Sequence, residues 1–324
     1  MKVIEVITDF GHLDTIMGVG EQYDIPEIWH SAVDESGRCS IRILVKSDQR
    51  QRVMDTLQSM LSGSEGSRIL LYDTEAVWPK IQASAEQKPA TTVTREELYS
   101  QIEQGARLNG TYLLLVILST IVVAIGLIED NVAVVIGAMV IAPLLGPNMA
   151  LALGSALGDR ELMSRALNTI LVGVGLSFLL SWLLGLYWKT PLESQELMAR
   201  TYVGIDGVVL ALASGLAAAL SLTTGLSSVL VGVMVAVALL PPVATAGIML
   251  GTGHFELASG AGLLLAVNIV CVNLSAKIVF LFKGVRPRTW LEKKKARQSY
   301  FLFMLMWIVS LTILTIIIAF KFKT

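Results

Sequence analysis

Apolar and polar positions divide the chain into two regimes. Over residues 1–83 they alternate, or recur at helical spacing, within short runs; from residue 111 onward long apolar stretches are separated by brief polar turns. Lys2 to Thr8, Ile28 to Val33, Arg38 to Val45 and Arg68 to Tyr72 alternate with a period of two and are rich in β-branched residues, which predicts four strands. Glu35-Ser36-Gly37 supplies a turn between the middle two. Helical patterns fall at about His12 to Tyr23 and Asp48 to Leu61, the second capped by Ser47 and placing Val53, Leu57, Met60 and Leu61 on one face. The order β-α-β-β-α-β is ferredoxin-like. A regulatory ligand-binding module and a docking module both fit it, since fold alone does not fix function. Asp9, His12 and Asp14 follow the first strand, where acidic and polar caps at a helix start explain them without a metal.

Residues 84–110 form a linker and an amphipathic helix. Ser84 to Thr92 is polar and aperiodic, whereas Thr94 and Glu97 make a capping box for a helix that aligns Leu98, Ile102 and Gly105. That face suits the membrane surface or the soluble domain equally.

The apolar runs predict seven spans, at about 111–128, 131–158, 165–188, 205–223, 226–252, 257–282 and 301–321. They contain a duplication. At a shift of 95 residues, Tyr112 to Ala166 and Gly207 to Ala261 share 16 identities in 55 positions, among them Gly137/Gly232, Met139/Met234, Pro147/Pro242, Gly158/Gly253 and Glu161/Glu256. Apolar composition alone gives roughly 6. The second span carries Pro143 and Pro147, the fifth Pro241 and Pro242, and both are expected to break there. The resulting architecture is an α-helical integral membrane protein: two three-helix repeats with proline-broken middle helices over 111–204 and 205–283, a basic loop and final helix over 284–324, and the N-terminal α+β domain. Three crossings per repeat invert one repeat against the other. If 131–158 and 226–252 are instead re-entrant, five spans and parallel repeats result, and the 189–200 loop changes sides.

Composition adds direction. A hydrophobic fraction of 54% with 16% charged residues belongs to a membrane protein, and a net charge of −1 argues against nucleic acid as a partner. Lys283, Arg286, Arg288, Lys293, Lys294, Lys295 and Arg297 make the richest basic cluster near any span, so their loop is expected in the cytoplasm, with the N-terminal domain and no signal peptide ahead of it. Cys39 and Cys271 make neither a disulfide framework nor a metal cluster.

Candidate chemistry concentrates at the breaks. Pro143, Gly146, Pro147 and Asn148 in the first repeat, with Pro241, Pro242 and Thr245 in the second, frame a substrate or ion site, and Asn268 and Asn273 extend a polar pathway along the sixth span. Lys277 is expected to snorkel toward the basic end, while Gly154/Gly158 and Gly247/Gly251 read as close-packing pairs. Asp130 and Asn131, with Glu129, either gather cations at an entrance or simply close the turn. No HExxH, nucleotide loop or Cys/His cluster is present, and GLSS around Ser227 and Ser228 lacks the second glycine of a serine elbow, so no enzyme chemistry and no cofactor is expected.

The run from Leu118 to Leu162, specific around GAMVIAPLLGP (Gly137 to Pro147) and preceded by TREELY (Thr94 to Tyr99), resembles a bacterial and archaeal family of uncharacterised hydrophobic membrane domains of unknown function. The likeness covers residues 94 to about 282. It implies a multi-spanning inner-membrane protein with a small cytosolic α+β domain and brings no substrate. From the residues themselves two functions follow. One is a transporter or channel for a small solute or ion, modulated by a small-molecule regulator on residues 1–83 and compatible with a homo-oligomer in the bilayer. The other is a non-transporting sensor or scaffold whose cytosolic domain binds a ligand or partner.

Overall fold

The computed structural model describes residues 1–46, 48–64, 66–74, 93–188, 194–224 and 228–285, with 305, 307–310, 312, 314 and 315, and the backbone alone over 228–238. The expected Ser47 cap, the 84–92 linker, nearly all of the basic loop and most of the last span lie outside the described residues. Two compact units emerge, Met1–Arg95 and Glu96–Thr324.

In the first unit the alternating runs become β1 (Lys2–Asp9), β2 (Ile28–His30), β3 (Arg38–Val45) and β4 (Arg68–Asp73), interleaved with α1 (Leu13–Gln22) and α2 (Arg50–Leu61). The sheet has the order β2-β3-β1-β4 and is antiparallel throughout, as a ferredoxin-like chain requires. One face of β1 and β3 presents Ile4, Val6, Ile41 and Ile43 to Ile16, Val53 and Leu57 of the helices. Met54, not Met60, completes the buried stripe of α2; Met60 is 38% exposed. The buried positions 50, 53, 54, 57 and 61 recur at the three- and four-residue spacing of one helix face.

Glu5 sits on the other face of β1, opposite Arg42 in register. Its carboxylate accepts from Ser40 Oγ at 2.5 Å and from Arg42 Nε at 2.9 Å. The Ser40 hydrogen bond, helped by those of Arg42 and Tyr72 and opposed by burial, holds its pKa below the ordinary 4.5. A carboxylate depressed on folding stabilises above its unfolded pKa and loses that contribution as pH falls through the folded one. The thermal stability of this unit is therefore expected to fall between about pH 5 and 3, and Glu5→Gln to flatten that part of the profile. Circular dichroism melts across this range test it; identical profiles for both proteins refute it.

The second unit is helical: α3 (Arg95–Gly105), α4 (Gly110–Ile128), α5 (Val132–Ile141), α6 (Leu145–Leu157), α7 (Arg160–Tyr187), the short α8 (Gln195–Met198), α9 (Ile205–Thr224), α10 (Ser228–Gly251) and α11 (Phe255–Phe282). Among the described residues α4, α7, α9 and α11 are long and apolar enough to cross a membrane, and α5 with α6, bent by 55°, is either a broken fifth span or a re-entrant loop.

The duplication reappears as contacts. Tyr112 Oη donates to the Thr169 carbonyl at 3.0 Å and the Thr120 and Ser177 hydroxyls meet at 2.9 Å, pairs 57 residues apart that set α4 parallel to α7. In α9 and α11 a Cβ added at Gly207 would touch Leu264 and one at Gly215 would lie 2.8 Å from Val272 Cα. These are the same positions moved along by 95. Gly158 and Gly253 likewise both take positive φ, 75° and 85°, and are followed by matching bonds from Asp159 N to Gly154 O and from His254 N to Met249 O, each 2.9 Å. Such a left-handed residue with its back-bond ends a helix, and glycine adopts it without strain. Gly158 is thus a cap, not half of a packing pair. Gly247 and Gly251 do pack: added Cβ atoms would lie 2.6 Å from Phe178 O and 2.5 Å from Trp182 O of α7.

The two helix pairs start from different ends of the bundle. At one end α3 lies along the start of α7, with Tyr99 Oη donating to Asp159 Oδ2 at 2.7 Å and Thr169 Oγ1 to Ala106 O at 2.9 Å. Burial and the carboxylate push the Tyr99 phenol up to about 12. At the other end the α4–α5 turn meets residues 194–196, Gly260 at the head of α11 abuts the Thr201 carbonyl, and Gly251 at the foot of α10 abuts α7 near Leu186.

Among the described residues only the middle helix of the first repeat is broken. Ala142, the residue before Pro143, takes φ −65° and ψ 123°, the extended geometry that proline imposes on its predecessor, and the chain restarts as α6 at Leu145. The repeat-mate of Pro143 is Ala238, and α10 continues through Pro241 and Pro242 without interruption. Sequence reading placed breaks in both repeats because it weighed the shared prolines. Pro147 in fact falls in the first turn of α6, where a missing N–H is tolerated.

Candidate functional site

Pro143, Gly146 and Pro147 shape the turn into α6, and Asn148 follows one residue later, 1% exposed. Its Nδ2 donates to the Leu144 carbonyl at 2.9 Å, four residues back. Its Oδ1 accepts at 3.2 Å from Nδ2 of Asn273, which lies 125 residues further on in α11 and also donates to Ile269 O at 2.9 Å. Two of the residues expected to line a pathway, one from each repeat, are thereby joined. Asn273 is fully buried and its Oδ1 has no partner. Nine residues separate it from Phe282, so the pair lies roughly 14 Å from that end of α11, close to half of a hydrocarbon core.

Other buried polar groups lie on the helices α7 and α10. Thr245 of α10 is fully buried with its hydroxyl unpartnered, as is Ser181 of α7, which packs beside Gly247 two residues after Thr245. Lys277, one turn after Asn273, is also fully buried, so it does not snorkel; a stem held within packed helices cannot reach the surface. Asn268 is buried too, but five residues put it about 140° round α11 from Asn273, facing different neighbours. Pro241 and Pro242 lie one turn before Thr245 in the continuous α10.

Asp130 and Asn131 do structural work. Asn131 caps α5, its side chain accepting from Val134 N at 3.2 Å. Asp130, at φ 55°, accepts from Glu196 N at 2.7 Å and lies 3.3 Å from Ser194 Oγ, which donates to Leu127 O at 2.6 Å. The carboxylate clasps the α4–α5 turn to the 194–196 segment.

Ser181 and Ser177 were legible in principle but not singled out. Gly173, Ser177, Ser181 and Gly185 recur every fourth residue and are all buried, a stripe of small residues that marks the packed face of a membrane helix. Gly105 offered no such signal, although a Cβ on Gly146 would lie 2.2 Å from its carbonyl oxygen. On α3, whose apolar face suited the membrane surface and the soluble domain equally, Leu98 and Ile102 are buried, at 2% and 3% exposure. Among the described residues no three His, Cys, Asp or Glu side chains are grouped to hold a metal ion.

Residues 139–274 match the sequence profile of a family described as a domain of unknown function, DUF389. The chain is 33% identical over 281 residues to an uncharacterized protein of Methanocaldococcus jannaschii, covering 87% of this chain and 88% of that one. No solved structure matches it.

Proposed function

Since the chain belongs to the DUF389 family, whose description names no activity, we propose from its own geometry that it is a membrane transporter or channel for a small solute or ion, with passage at the Asn148–Asn273 pair. The observation that carries this reading is a buried amide pair, contributed by both repeats beside a helix break, that leaves an acceptor unpaired near mid-depth. A polar group there is expensive unless something fills its bonding capacity, which is why such residues in membranes mark pathways. Irregular backbone at the same depth belongs where it lines a cavity.

The arrangement of ends supports seven spans and inversion. The bent α5–α6 pair leaves the Asp130 end and arrives at the Asp159 end, and the second repeat sets out from the end where the first helix of the first repeat finishes. Inverted repeats around a midplane site are the framework of alternating access. In this reading the N-terminal domain and the basic loop after α11 are cytoplasmic, in the inner membrane.

Purified protein in liposomes tests it by stopped-flow light scattering with potassium chloride, sodium glutamate, glycerol and urea. At least one solute is expected to pass faster than through empty liposomes, and Asn273→Leu, of similar volume and without the amide, to lose at least about tenfold of that rate at unchanged protein content. Permeability equal to empty liposomes for all four overturns the reading in favour of a sensor or scaffold.

A further inference from the structure

The start of α7, the end of α3 and the residues leading into α4 enclose a cleft of about 500 Å³ lined by Glu103, Arg107, Asn109, Arg165, Asn168 and Thr169, among others. Its place along the chain fixes its depth. Asn109 caps α4, accepting from Tyr112 N at 2.8 Å, and the 19 residues of that helix contain no charge. The cleft therefore opens where polar chain gives way to apolar helix, the level of lipid headgroups. Leu108 beside it is 42% exposed, an apolar lip next to a charged wall.

Two guanidiniums face one carboxylate in this lining. Glu103 Oε1 lies 3.5 Å from Arg107 Nη2 and 3.4 Å from Arg165 Nη1, long beside the roughly 2.7–2.9 Å of a strong charge-assisted bond. The carboxylate keeps both forks at the cleft, whose lining holds two guanidiniums and this one carboxylate. Arg165 also pairs with Glu161 one turn earlier, which fixes its stem outward from α7. Thr169 is engaged elsewhere, its hydroxyl set against the Ala106 and Arg165 carbonyls at 2.9 and 3.0 Å, so it forms the floor. Asn168 contributes a neutral amide at the rim.

Planar guanidinium forks match phosphate oxygens two at a time, and basic clefts between membrane helices hold phosphorylated headgroups. We propose that this cleft binds the phosphate group of an anion at the membrane surface, supplied by an anionic phospholipid or by a soluble phosphate ester. The proposal is independent of transport. It has a consequence for the break, because an anion bridging Arg107 and Arg165 clamps the end of α3 to α7, and Gly105 at that end abuts Gly146.

Full-length protein in detergent tests this by native mass spectrometry and thermal shift with four probes: phosphatidylglycerol, a diacylglycerol with the same chains and no phosphate, sn-glycerol 3-phosphate and inorganic phosphate. Phosphatidylglycerol or glycerol phosphate is expected to bind and raise the melting temperature, and the diacylglycerol to do neither. Arg107→Lys with Arg165→Lys keeps the charge but not the fork and is expected to weaken binding at least tenfold; Asn168→Leu, outside the ion pairs, severalfold. Binding of the lipid alone identifies a headgroup site, and binding of the soluble phosphates a metabolite site. Diacylglycerol binding as strongly as phosphatidylglycerol, no phosphate compound binding, or binding undiminished in every variant overturns the proposal.

Discussion

Gly146→Ala is expected to destabilise the membrane unit by about 3 kcal/mol, the upper end for a packed interior forced to admit one extra carbon, and to lower its melting temperature by roughly 6–12 °C. The added Cβ would lie 2.2 Å from Gly105 O, 2.6 Å from Gly105 C and 2.9 Å from Gly105 Cα. All three are backbone atoms, so no side chain can rotate out of the way. Relief requires α3 to move as a body, and α3 is tied to α7 through Tyr99–Asp159 and Ala106–Thr169. The reverse substitution is the control. A Cβ on Gly105 meets Gly146 Cα at 3.3 Å, a contact a small adjustment absorbs, so Gly105→Ala should change stability by no more than about 1 kcal/mol. Tryptophan-fluorescence melts in detergent distinguish them; equal melting temperatures for the two variants would mean that α3 is not pressed against the break.

Single cysteines at Gln195, Arg160 and Glu35, in a protein lacking Cys39 and Cys271, should report opposite sides of the membrane. All three positions are exposed, whereas Ser194 and Ser155 are buried and unsuited to labelling. With a membrane-impermeant maleimide, Gln195→Cys is expected to react in intact cells, and Arg160→Cys and Glu35→Cys only after lysis. The effect is all or none. It follows from the Asp130 clasp, which puts the α4–α5 turn and residues 194–196 at one end, and from the Tyr99–Asp159 bond at the other. Arg160 labelled from outside with Gln195 and Glu35 protected would instead make α5–α6 a re-entrant hairpin and refute the proposed inversion.

Much of the fold was legible because it rests on local rules. Strict alternation marked all four strands, and the pairing order followed from two helices placed between them. The duplication was legible as identities and returns as contact pairs displaced by 95 residues. What misled was proline. Residues 241 and 242 announce a break as strongly as 143 does, yet the restriction that parts α5 from α6 acts on Ala142, through a proline whose repeat-mate is alanine. At the site, Asn148 and Asn273 were readable as costly polar residues in apolar runs, but their meeting was not, since 125 residues of chain intervene. Lys277 was misjudged by its distance from the helix end, because sequence shows depth along an axis and not which side a neighbour covers. The contact between Gly105 and Gly146 was invisible for a related reason: a close approach of two backbones leaves no pattern beyond two glycines.

The separation of the two asparagines has a consequence for biosynthesis. At roughly 5–20 residues per second, the chain needs about 6–25 s after Asn148 is made before Asn273 exists. The Asp130 clasp waits for a shorter stretch, the 66 residues to Glu196, or about 3–13 s. For part of that interval the helices of the first repeat exist without those of the second. The bond from Asn148 to the Leu144 carbonyl, only four residues away, forms as soon as α6 does and holds the amide in the nascent chain. A polar group destined for a partner not yet synthesised is thus kept satisfied locally, and the insertion machinery meets a helix pair whose most expensive side chain is already occupied.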